Sequence, residues 1–310
     1  MPADLSPCDD RHHKQTENTM TRYIALNGWI YCGFGGEKKP REFIDWAAEK
    51  GLDGIEFTVG DCLSVDTPES EARELAAYAR SKGVGIRSLA TGAGWGKWLC
   101  SDDPAERDEA KDFVRKYLQL AAWLGAETVL VVPGATRVAW DASHAEVSYL
   151  NAWNNATESI KELVPVAESL GVNIALENVW NRFLISPMEW KLFLDQFGSQ
   201  RVGIYFDAAN CCLNCRPEDF PEILGGYIKA VHLKNFEESD SAGGLHGFGD
   251  DVFKGAVDFG KLFAALDKVG YAGPYTVEMI PFSRLPDLVM PDVALAEKMV
   301  AQISEIKKIA

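Results

Sequence analysis

The feature that most constrains the fold of this chain is the repeated alternation of short apolar runs with longer helical patterns. Eight strand-like apolar runs begin at Tyr23, Asp53, Gly83, Glu127, Val172, Arg201, Ile228 and Gly273. Most are nearly continuous, as expected for parallel strands covered on both faces. A glycine closes most of the helical segments just before the next strand, which is typical of helix-to-strand loops. Eight strands alternating with eight helices predict an α/β protein, a single (β/α)8 TIM barrel.

The barrel is expected over residues 20–310, because no linker is long enough to divide the chain. Residues 1–19 are polar and lack periodicity, which predicts a disordered extension. A doubly wound open sheet is the rival fold, but residues 27–39 have neither dinucleotide nor P-loop spacing. The longest loops, 133–150 and 235–256, follow strand ends, on the face where barrel active sites are built.

The net charge limits which partners the protein can bind, and the cysteine content indicates the cellular compartment. The formal net charge of −15 argues against nucleic-acid binding, which needs a basic surface. No apolar run reaches transmembrane length and no signal-peptide core is present, so no membrane association is expected. Seven cysteines without a secretion signal favour reduced thiols and a cytoplasmic location.

Four successive predicted strands carry residues of the metal-ligand type where their apolar runs end. These residues are Glu177, Asp207, His232 and Glu278. Taken alone, each acid could be a cap or a loop-end carboxylate, and the histidine could be a core residue. Together they converge on one mouth of the barrel, where three buried carboxylates are costly unless a cation compensates them. Oxygen ligands with one nitrogen suit Mn²⁺, our first choice, or Mg²⁺ or Co²⁺.

The segments around these residues resemble the xylose-isomerase-like TIM-barrel superfamily. The motifs are ALENVWNRF, YFDAAN, VHLKNF and KGAVDFGKLFAALDKVGYAGPYTVEM. The similarity is to sugar-phosphate isomerases and epimerases, including the D-tagatose 3-epimerase and L-xylulose-5-phosphate 3-epimerase branches. It is clearest over the fifth to eighth strands and is compatible with the chain from about Met20.

The resemblance implies that the four residues bind the metal and that Glu177 and Glu278 also transfer protons. In a ketose, the carbonyl at carbon 2 and the hydroxyl at carbon 3 can chelate one cation. The cation acidifies the carbon-3 proton and stabilises a cis-enediolate. One glutamate removes the proton and the other returns one to the opposite face. The expected enzyme is therefore an isomerase that epimerises a ketose or keto-sugar at carbon 3.

Two other functions stay open at this point. A lyase of the inosose dehydratase or deglycosylating kind would use the same chemistry on a keto-sugar or keto-glycoside, and its enediolate would expel a leaving group. A sugar-binding protein without activity is the third reading, and the presence of all four ligand types argues against it. Homo-oligomers are common among such barrels, so self-association is expected by analogy only.

The sequence constrains the substrate less than it constrains the metal site, because the chain departs from the motifs of both epimerase branches. Leu184 stands where the free-ketose branch has a glutamate, and Asn210 where it has histidine. The phospho-ketose branch has asparagine at that position and a His-x-Lys like His232 and Lys234, but commonly an aspartate where this chain has Asn235. The substrate is expected to be a small sugar, and the candidate substrate-binding residues are Asn210, Lys234, Trp29, Trp180, Glu56 and His246.

Five of these six candidates have an alternative role. Lys234 lies on the same side of its strand as His232, and could stabilise an oxyanion or pair with a buried acid. Glu56 could bind a sugar hydroxyl or form a buried ion pair. His246 lies in a glycine-rich loop that could act as a lid, and it could equally be a solvated loop residue. Trp29 and Trp180 could stack on a sugar face or serve in packing.

Overall fold

Eight parallel strands close into a barrel in the part of the chain that the structure describes. This structure is a computed structural model, and it describes residues 22–36, 38–138, 144–238, 245–281 and 290–309. The strands are β1 (Ile24–Asn27), β2 (Gly54–Val59), β3 (Ser88–Thr91), β4 (Thr128–Val131), β5 (Asn173–Glu177), β6 (Val202–Asp207), β7 (Ile228–Leu233) and β8 (Tyr275–Val277). Their order around the barrel is β1, β8, β7, β6, β5, β4, β3, β2. The predicted (β/α)8 TIM barrel is confirmed.

A helix follows every barrel strand. The helices are α1 (Gly28–Cys32), α2 (Pro40–Glu49), α3 (Glu69–Ser81), α4 (Pro104–Leu124), α5 (Tyr149–Leu170), α6 (Pro187–Leu194), α7 (Asp219–Leu224), α8 (Phe259–Lys268) and α9 (Val293–Ile306). A two-stranded antiparallel ribbon, Glu237–Glu238 with Leu245–Gly247, follows β7. The predicted extension over residues 1–19 and parts of both long loops, 139–143 and 239–244, lie outside the described residues. No helix in the described ranges is long and apolar enough to cross a membrane.

Capping residues fix the ends of several helices. The side chains of Asp103, Ser148 and Asp258 accept hydrogen bonds from backbone N–H groups in the first turns of α4, α5 and α8. Gly125 and Gly171 end α4 and α5 with φ angles of 77° and 69°, a left-handed conformation that glycine adopts without steric cost. These local signals set where the helices begin and end.

Two boundaries differ from the sequence prediction. The first strand was expected from Tyr23, but β1 spans Ile24–Asn27, and the apolar residues after it form α1 from Gly28. The Asn27 side chain accepts a hydrogen bond from the Trp29 backbone N–H at 2.8 Å and so caps the helix. The third strand was expected from Gly83 but begins at Ser88, preceded by a single bridge between Gly54 and Gly85.

The interior of the barrel holds a small apolar cluster beneath a polar layer. The cluster contains Ala90, Leu130, Val132, Ala175, Tyr205 and Ala230. Because side chains alternate along a strand, Glu177, Asp207 and His232 point to the same side as the cluster residues two positions earlier. The sequence therefore fills the barrel with apolar side chains and gathers the predicted ligands at the carboxyl ends of the strands.

Candidate metal centre

Glu177, Asp207, His232 and Glu278 form one buried cluster at the carboxyl ends of β5 to β8. Ligand atoms from these four residues all lie within 4.8 Å of one another. His232 Nδ1 is 3.8 Å from Glu177 Oε1, 3.9 Å from Asp207 Oδ2 and 3.4 Å from Glu278 Oε2. Strand pairing sets Asp207 directly beside His232, because the two residues are register partners between β6 and β7. The four residues selected from the sequence are therefore brought together.

His232 is oriented by Glu56, which reaches it from β2 across the barrel. The distance from His232 Nε2 to Glu56 Oε1 is 2.8 Å, and both side chains are fully buried. Glu56 also accepts hydrogen bonds from Asn27, Ser88 and Tyr205. With Nε2 engaged, Nδ1 faces the three carboxylates and has no hydrogen-bond partner among the described residues.

This arrangement fits a divalent cation. Histidines that bind metals usually place their other ring nitrogen against a carboxylate, which fixes the ring and its tautomer. Here Glu56 supplies that carboxylate, and the unpartnered Nδ1 lies among three carboxylate oxygens. A ligand set of oxygen atoms and one imidazole nitrogen suits Mn²⁺, Mg²⁺ or Co²⁺. The four residues could hold such an ion.

Asparagine side chains position Asp207 and connect it to Glu177. Asn178 forms two hydrogen bonds of 2.8 Å with the backbone of Asp207, one through its oxygen and one through its nitrogen. Asp207 Oδ1 accepts from the backbone N–H groups of Ala209 and Asn210, which leaves Oδ2 directed at the cluster. The Asn210 side chain donates to the Asn178 carbonyl at 3.0 Å and approaches Glu177 Oε1 at 3.4 Å.

Lys234 adds a buried positive charge to the cluster. Its Nζ lies 2.8 Å from Asp207 Oδ2 and 2.8 Å from Glu278 Oε2, and 4.6 Å from the centre of the Phe248 ring. Burial alone would lower the pKa of Lys234, but the charges of Asp207, Glu278 and Glu177 raise it. Of the two roles left open for Lys234, the ion pair is the one that these contacts display.

The electrostatic state of the cluster favours a bound positive charge. Burial raises the pKa of Glu177 to about 7, and the charges of Glu278 and Asp207 add to the effect. Burial also raises the pKa of Asp207. Burial opposes protonation of His232, but Glu278 and Glu56 together raise its pKa well above the ordinary value. All three shifts are in the direction expected where added positive charge is favourable.

A cavity of about 680 Å³ opens above the cluster. Its lining includes Glu177, Asn210, Lys234 and Glu278, together with Trp29 and Trp180. Trp29 Nε1 donates to Asp61 at 2.7 Å, and Trp180 Nε1 donates to the Asn210 carbonyl at 3.0 Å. Four of the six predicted substrate-binding residues, Asn210, Lys234, Trp29 and Trp180, therefore line one cavity.

The other two predicted substrate-binding residues lie elsewhere. Glu56 does not line the cavity in the described part of the chain. It lies beneath His232 with both carboxylate oxygens hydrogen-bonded, so the geometry favours the buried ion pair over contact with a sugar. Burial would raise the pKa of Glu56, but His232, Ser88 and Tyr205 together lower it. The side chain of His246 lies outside the described residues.

Sequence reasoning missed the residues that support Glu56. Asn27, Ser88 and Tyr205 come from β1, β3 and β6, and each donates to the Glu56 carboxylate. Tyr205 lies two positions before Asp207 and so on the same side of β6, which was a usable signal. Nothing in the sequence indicated that β2 would supply the partner of a histidine on β7.

The fold and the site define a class of protein, a TIM barrel with three carboxylates and one imidazole gathered at the carboxyl ends of adjacent strands. The chain belongs to the xylose isomerase-like TIM barrel family, whose sequence profile matches residues 44–301. The resemblance noted from the sequence motifs is thereby confirmed at the level of the family.

The relatives of this chain include named sugar 3-epimerases. It is 26% identical to a ketose 3-epimerase of Arthrobacter globiformis over 276 residues, which cover 86% of each chain. It is 29% identical to a putative L-ribulose-5-phosphate 3-epimerase of Escherichia coli K12, over 78% of this chain and 86% of that one. The D-psicose 3-epimerase of Clostridium cellulolyticum H10, solved with D-tagatose, shares the fold, with a TM-score of 0.72 and 18% identity over 93% of this chain and 99% of that one.

Proposed function

We propose that this chain is a divalent-metal-dependent isomerase that epimerises a ketose or keto-sugar at carbon 3, with Mn²⁺ as the metal. The observation that carries the proposal is the position of Glu177 and Glu278. Both line the cavity, and both place a carboxylate oxygen within 4 Å of the unpartnered His232 Nδ1. The names of the relatives support the same reaction class, since they include 3-epimerases of a ketose and of a ketose phosphate.

Different residues of the chain would carry out different parts of the reaction. A bound divalent cation, held by Glu177, Asp207, His232 and Glu278, would supply Lewis acidity to the sugar oxygens. One of the two glutamates removes the proton from the carbon next to the carbonyl, and the other returns a proton from the other side. Lys234 holds Asp207 and Glu278, and Glu56 holds the His232 ring.

The same cavity would bind and orient the sugar. Asn210 offers an amide beside Glu177, and Trp29 and Trp180 offer aromatic faces for the C–H faces of a sugar. Cys32, Cys62, Cys100, Cys211, Cys212 and Cys215 are free thiols, which supports a cytoplasmic location for the enzyme. Self-association stays a prediction by analogy.

The test is solvent exchange at the carbon next to the carbonyl, which is carbon 3 in a 2-ketose. The protein is loaded with Mn²⁺ and incubated in heavy water with a panel of ketoses, ketose phosphates and keto-glycosides. We expect deuterium next to the carbonyl in the recovered sugar. Glu177→Gln and Glu278→Gln should each reduce exchange by about 10²- to 10⁴-fold, the usual contribution of a general acid or base. Glu71→Gln, at an exposed glutamate on α3, is the matched control. Full turnover by both cluster variants would refute the proposal.

A lyase acting on a keto-sugar or keto-glycoside is the second candidate, and one observation favours it. Leu184, which stands where the free-ketose branch has a substrate-binding glutamate, is buried and is absent from the described cavity lining. The same incubations distinguish the two reactions. Loss of water or of an aglycone identifies a lyase, whereas recovery of an epimer identifies an epimerase.

A further inference from the structure

Asn235, the second residue after β7, is fully buried and uses all the hydrogen-bonding capacity of its side chain. Its amide nitrogen donates to the Val252 carbonyl at 2.9 Å and to the Val257 carbonyl at 3.0 Å. Its oxygen accepts from the Phe236 N–H at 2.9 Å and from the Val257 N–H at 2.8 Å. A side-chain amide has two N–H donors and one oxygen with two lone pairs, so the set is complete. One side chain therefore joins the end of β7 to chain that lies 17 to 22 positions further on.

We call residues 248–257, which come back to the end of β7, the returning segment. The backbone of this segment lies directly against Asn235. Gly255 has a φ angle of 147°, and a Cβ atom added there would lie 2.3 Å from Asn235 Oδ1 and 2.5 Å from the Phe236 carbonyl oxygen. The neighbouring Ala256 N–H donates to that same carbonyl at 2.9 Å. Only glycine allows so close an approach at this position.

Phe248 connects the returning segment to the cavity above the ligand cluster. Its ring lines the cavity and is stacked on Trp180, with ring centres 5.1 Å apart. The same ring lies 4.6 Å from Lys234 Nζ, within the range of a cation–π contact. Phe236 packs edge-on against both rings, 5.3 Å from Trp180 and 5.6 Å from Phe248. The position of this part of the cavity wall therefore depends on the segment that Asn235 holds.

We propose that Asn235 is a positioning residue that determines how the substrate is held. By fixing the returning segment against the end of β7, it places Phe248 over Lys234 and against Trp180. These three side chains line the cavity, so their arrangement sets the shape that the substrate meets. The effect on the reaction rests on the proposed function, whereas the effect on the returning segment does not.

The metal-ligand residues have supports of their own. Glu56 holds the His232 ring through its 2.8 Å contact with Nε2. Asn178 holds Asp207 through two hydrogen bonds of 2.8 Å to its backbone. Loss of the Asn235 contacts should therefore weaken substrate binding and leave the metal affinity and the chemical step close to those of the wild type.

Two variants disturb the contact from opposite sides. Asn235→Asp keeps the size and the two accepted hydrogen bonds, but it turns a carboxylate oxygen toward two carbonyls that lose their donor. Gly255→Ala instead drives a Cβ atom into the Asn235 side chain and the backbone beside it. The matched controls are Asn154→Asp, at an exposed asparagine on α5, and Gly270→Ala, where φ is 72° and an added Cβ meets no atom within 4 Å.

The first experiment measures amide hydrogen exchange by mass spectrometry on the metal-loaded protein. We expect peptides from the returning segment to exchange about tenfold faster or more in Asn235→Asp and Gly255→Ala than in the wild type and both controls. Peptides from β5 and β6 should exchange as in the wild type. Unchanged exchange of the returning segment in both variants overturns the proposal. Equal acceleration across the barrel strands also overturns it, because Asn235 would then support the whole fold.

The second experiment separates binding from chemistry. Solvent exchange is measured with Mn²⁺ on D-fructose, L-ribulose 5-phosphate and the 3-keto derivative of methyl β-D-glucoside, and the sugar with the highest wild-type kcat/KM is used. We expect both variants to raise KM about fivefold or more, with kcat within about twofold of the wild type. Mn²⁺ affinity, from titration calorimetry, should be unchanged.

A fall in kcat with KM unchanged, or kinetics equal to those of the controls, would overturn the role in substrate binding and leave the proposed function standing. If the wild type exchanges none of the three sugars, that result counts against the proposed function. The hydrogen-exchange experiment then decides the inference by itself, because it needs no turnover.

Discussion

The contact between Glu56 and His232 decides how the ligand cluster is built. His232 has two ring nitrogens, and the 2.8 Å contact with Glu56 commits Nε2 and directs Nδ1 toward the carboxylates. Glu56 is fixed in turn by donors from Asn27, Ser88 and Tyr205. A fully buried carboxylate with four partners has little freedom to move, so the imidazole is held in place before any cation arrives.

Replacement of Glu56 by glutamine should weaken metal binding while preserving the fold. The amide lacks the charge that supports the His232 ring, and loss of such a support typically costs 10- to 100-fold in metal affinity. Titration calorimetry with Mn²⁺ on Glu56→Gln and wild type measures the effect. Glu127→Gln, at a half-exposed carboxylate paired with Arg87, serves as the control. Unchanged affinity in Glu56→Gln would show that Glu56 does not support the metal ligand.

The raised pKa of Glu177 predicts a pH dependence for the metal-free protein. Glu177 has an ordinary value of 4.5 and a folded value of about 7, so the folded state holds more protons between these pH values. Its contribution to stability is therefore present below about pH 4.5 and is lost as the pH rises through about 7. Urea unfolding in the presence of chelator, from pH 4.5 to 8, should give a free energy of unfolding that falls less steeply for Glu177→Gln than for wild type. Parallel curves for the two proteins would contradict the assignment.

At the scale of helices and strands, the sequence predicted features that depend on local signals and missed features that depend on long-range contacts. Glycines before the next strand marked the helix ends, and apolar runs marked the strand ends where Glu177, Asp207, His232 and Glu278 lie. The sequence did not predict the support of His232, because Glu56 is 176 positions away and meets it only through barrel closure. It did not predict α1 either, because the contact of the Trp29 backbone N–H with the Asn27 side chain, which caps this helix, is not visible in the sequence.

The left-handed glycine at the end of α4 offers a test of these local signals. Gly125 has a φ angle of 77°, and a Cβ atom added there would meet no atom within 4 Å. Gly125→Ala should therefore lose about 1–2 kcal/mol of unfolding free energy, from backbone strain alone. Urea unfolding measures the loss, and Mn²⁺ affinity should stay unchanged because the helix end is far in the fold from the ligand cluster. A neutral effect would mean that the backbone at Gly125 relaxes freely.

For the whole molecule, stability and site occupancy are coupled through buried charge. The chain carries a net charge of −15, and the cluster concentrates three carboxylates in its interior. Lys234 offsets part of that charge, and a bound cation would offset more. Because a cation that binds only the folded state stabilises it by mass action, metal content should govern the thermal stability of the protein.

Lys234→Met should destabilise the metal-free protein far more than the metal-saturated one. Removal of one partner from a buried ion pair leaves Asp207 and Glu278 uncompensated, which costs about 3–5 kcal/mol. Saturating Mn²⁺ should recover much of that loss, because the cation takes over the compensation. Urea unfolding of wild type and Lys234→Met, each with chelator and with Mn²⁺, measures both effects. An equal loss under both conditions would disprove the coupling.

The metal-ligand residues and the aromatic residues of the cavity come from different parts of the fold, and this difference affects how the protein can evolve. The ligand-type residues lie at the carboxyl ends of barrel strands. The aromatic residues of the cavity lining, Trp29, Phe34, Trp95, Trp180 and Phe248, come from the helices and loops that follow the strands. Mutations in these segments can therefore alter which molecule the cavity accepts without disturbing the ligand cluster. The two can evolve at different rates, and a protein engineer can exchange the loops around a fixed reaction centre to obtain catalysts for new sugars.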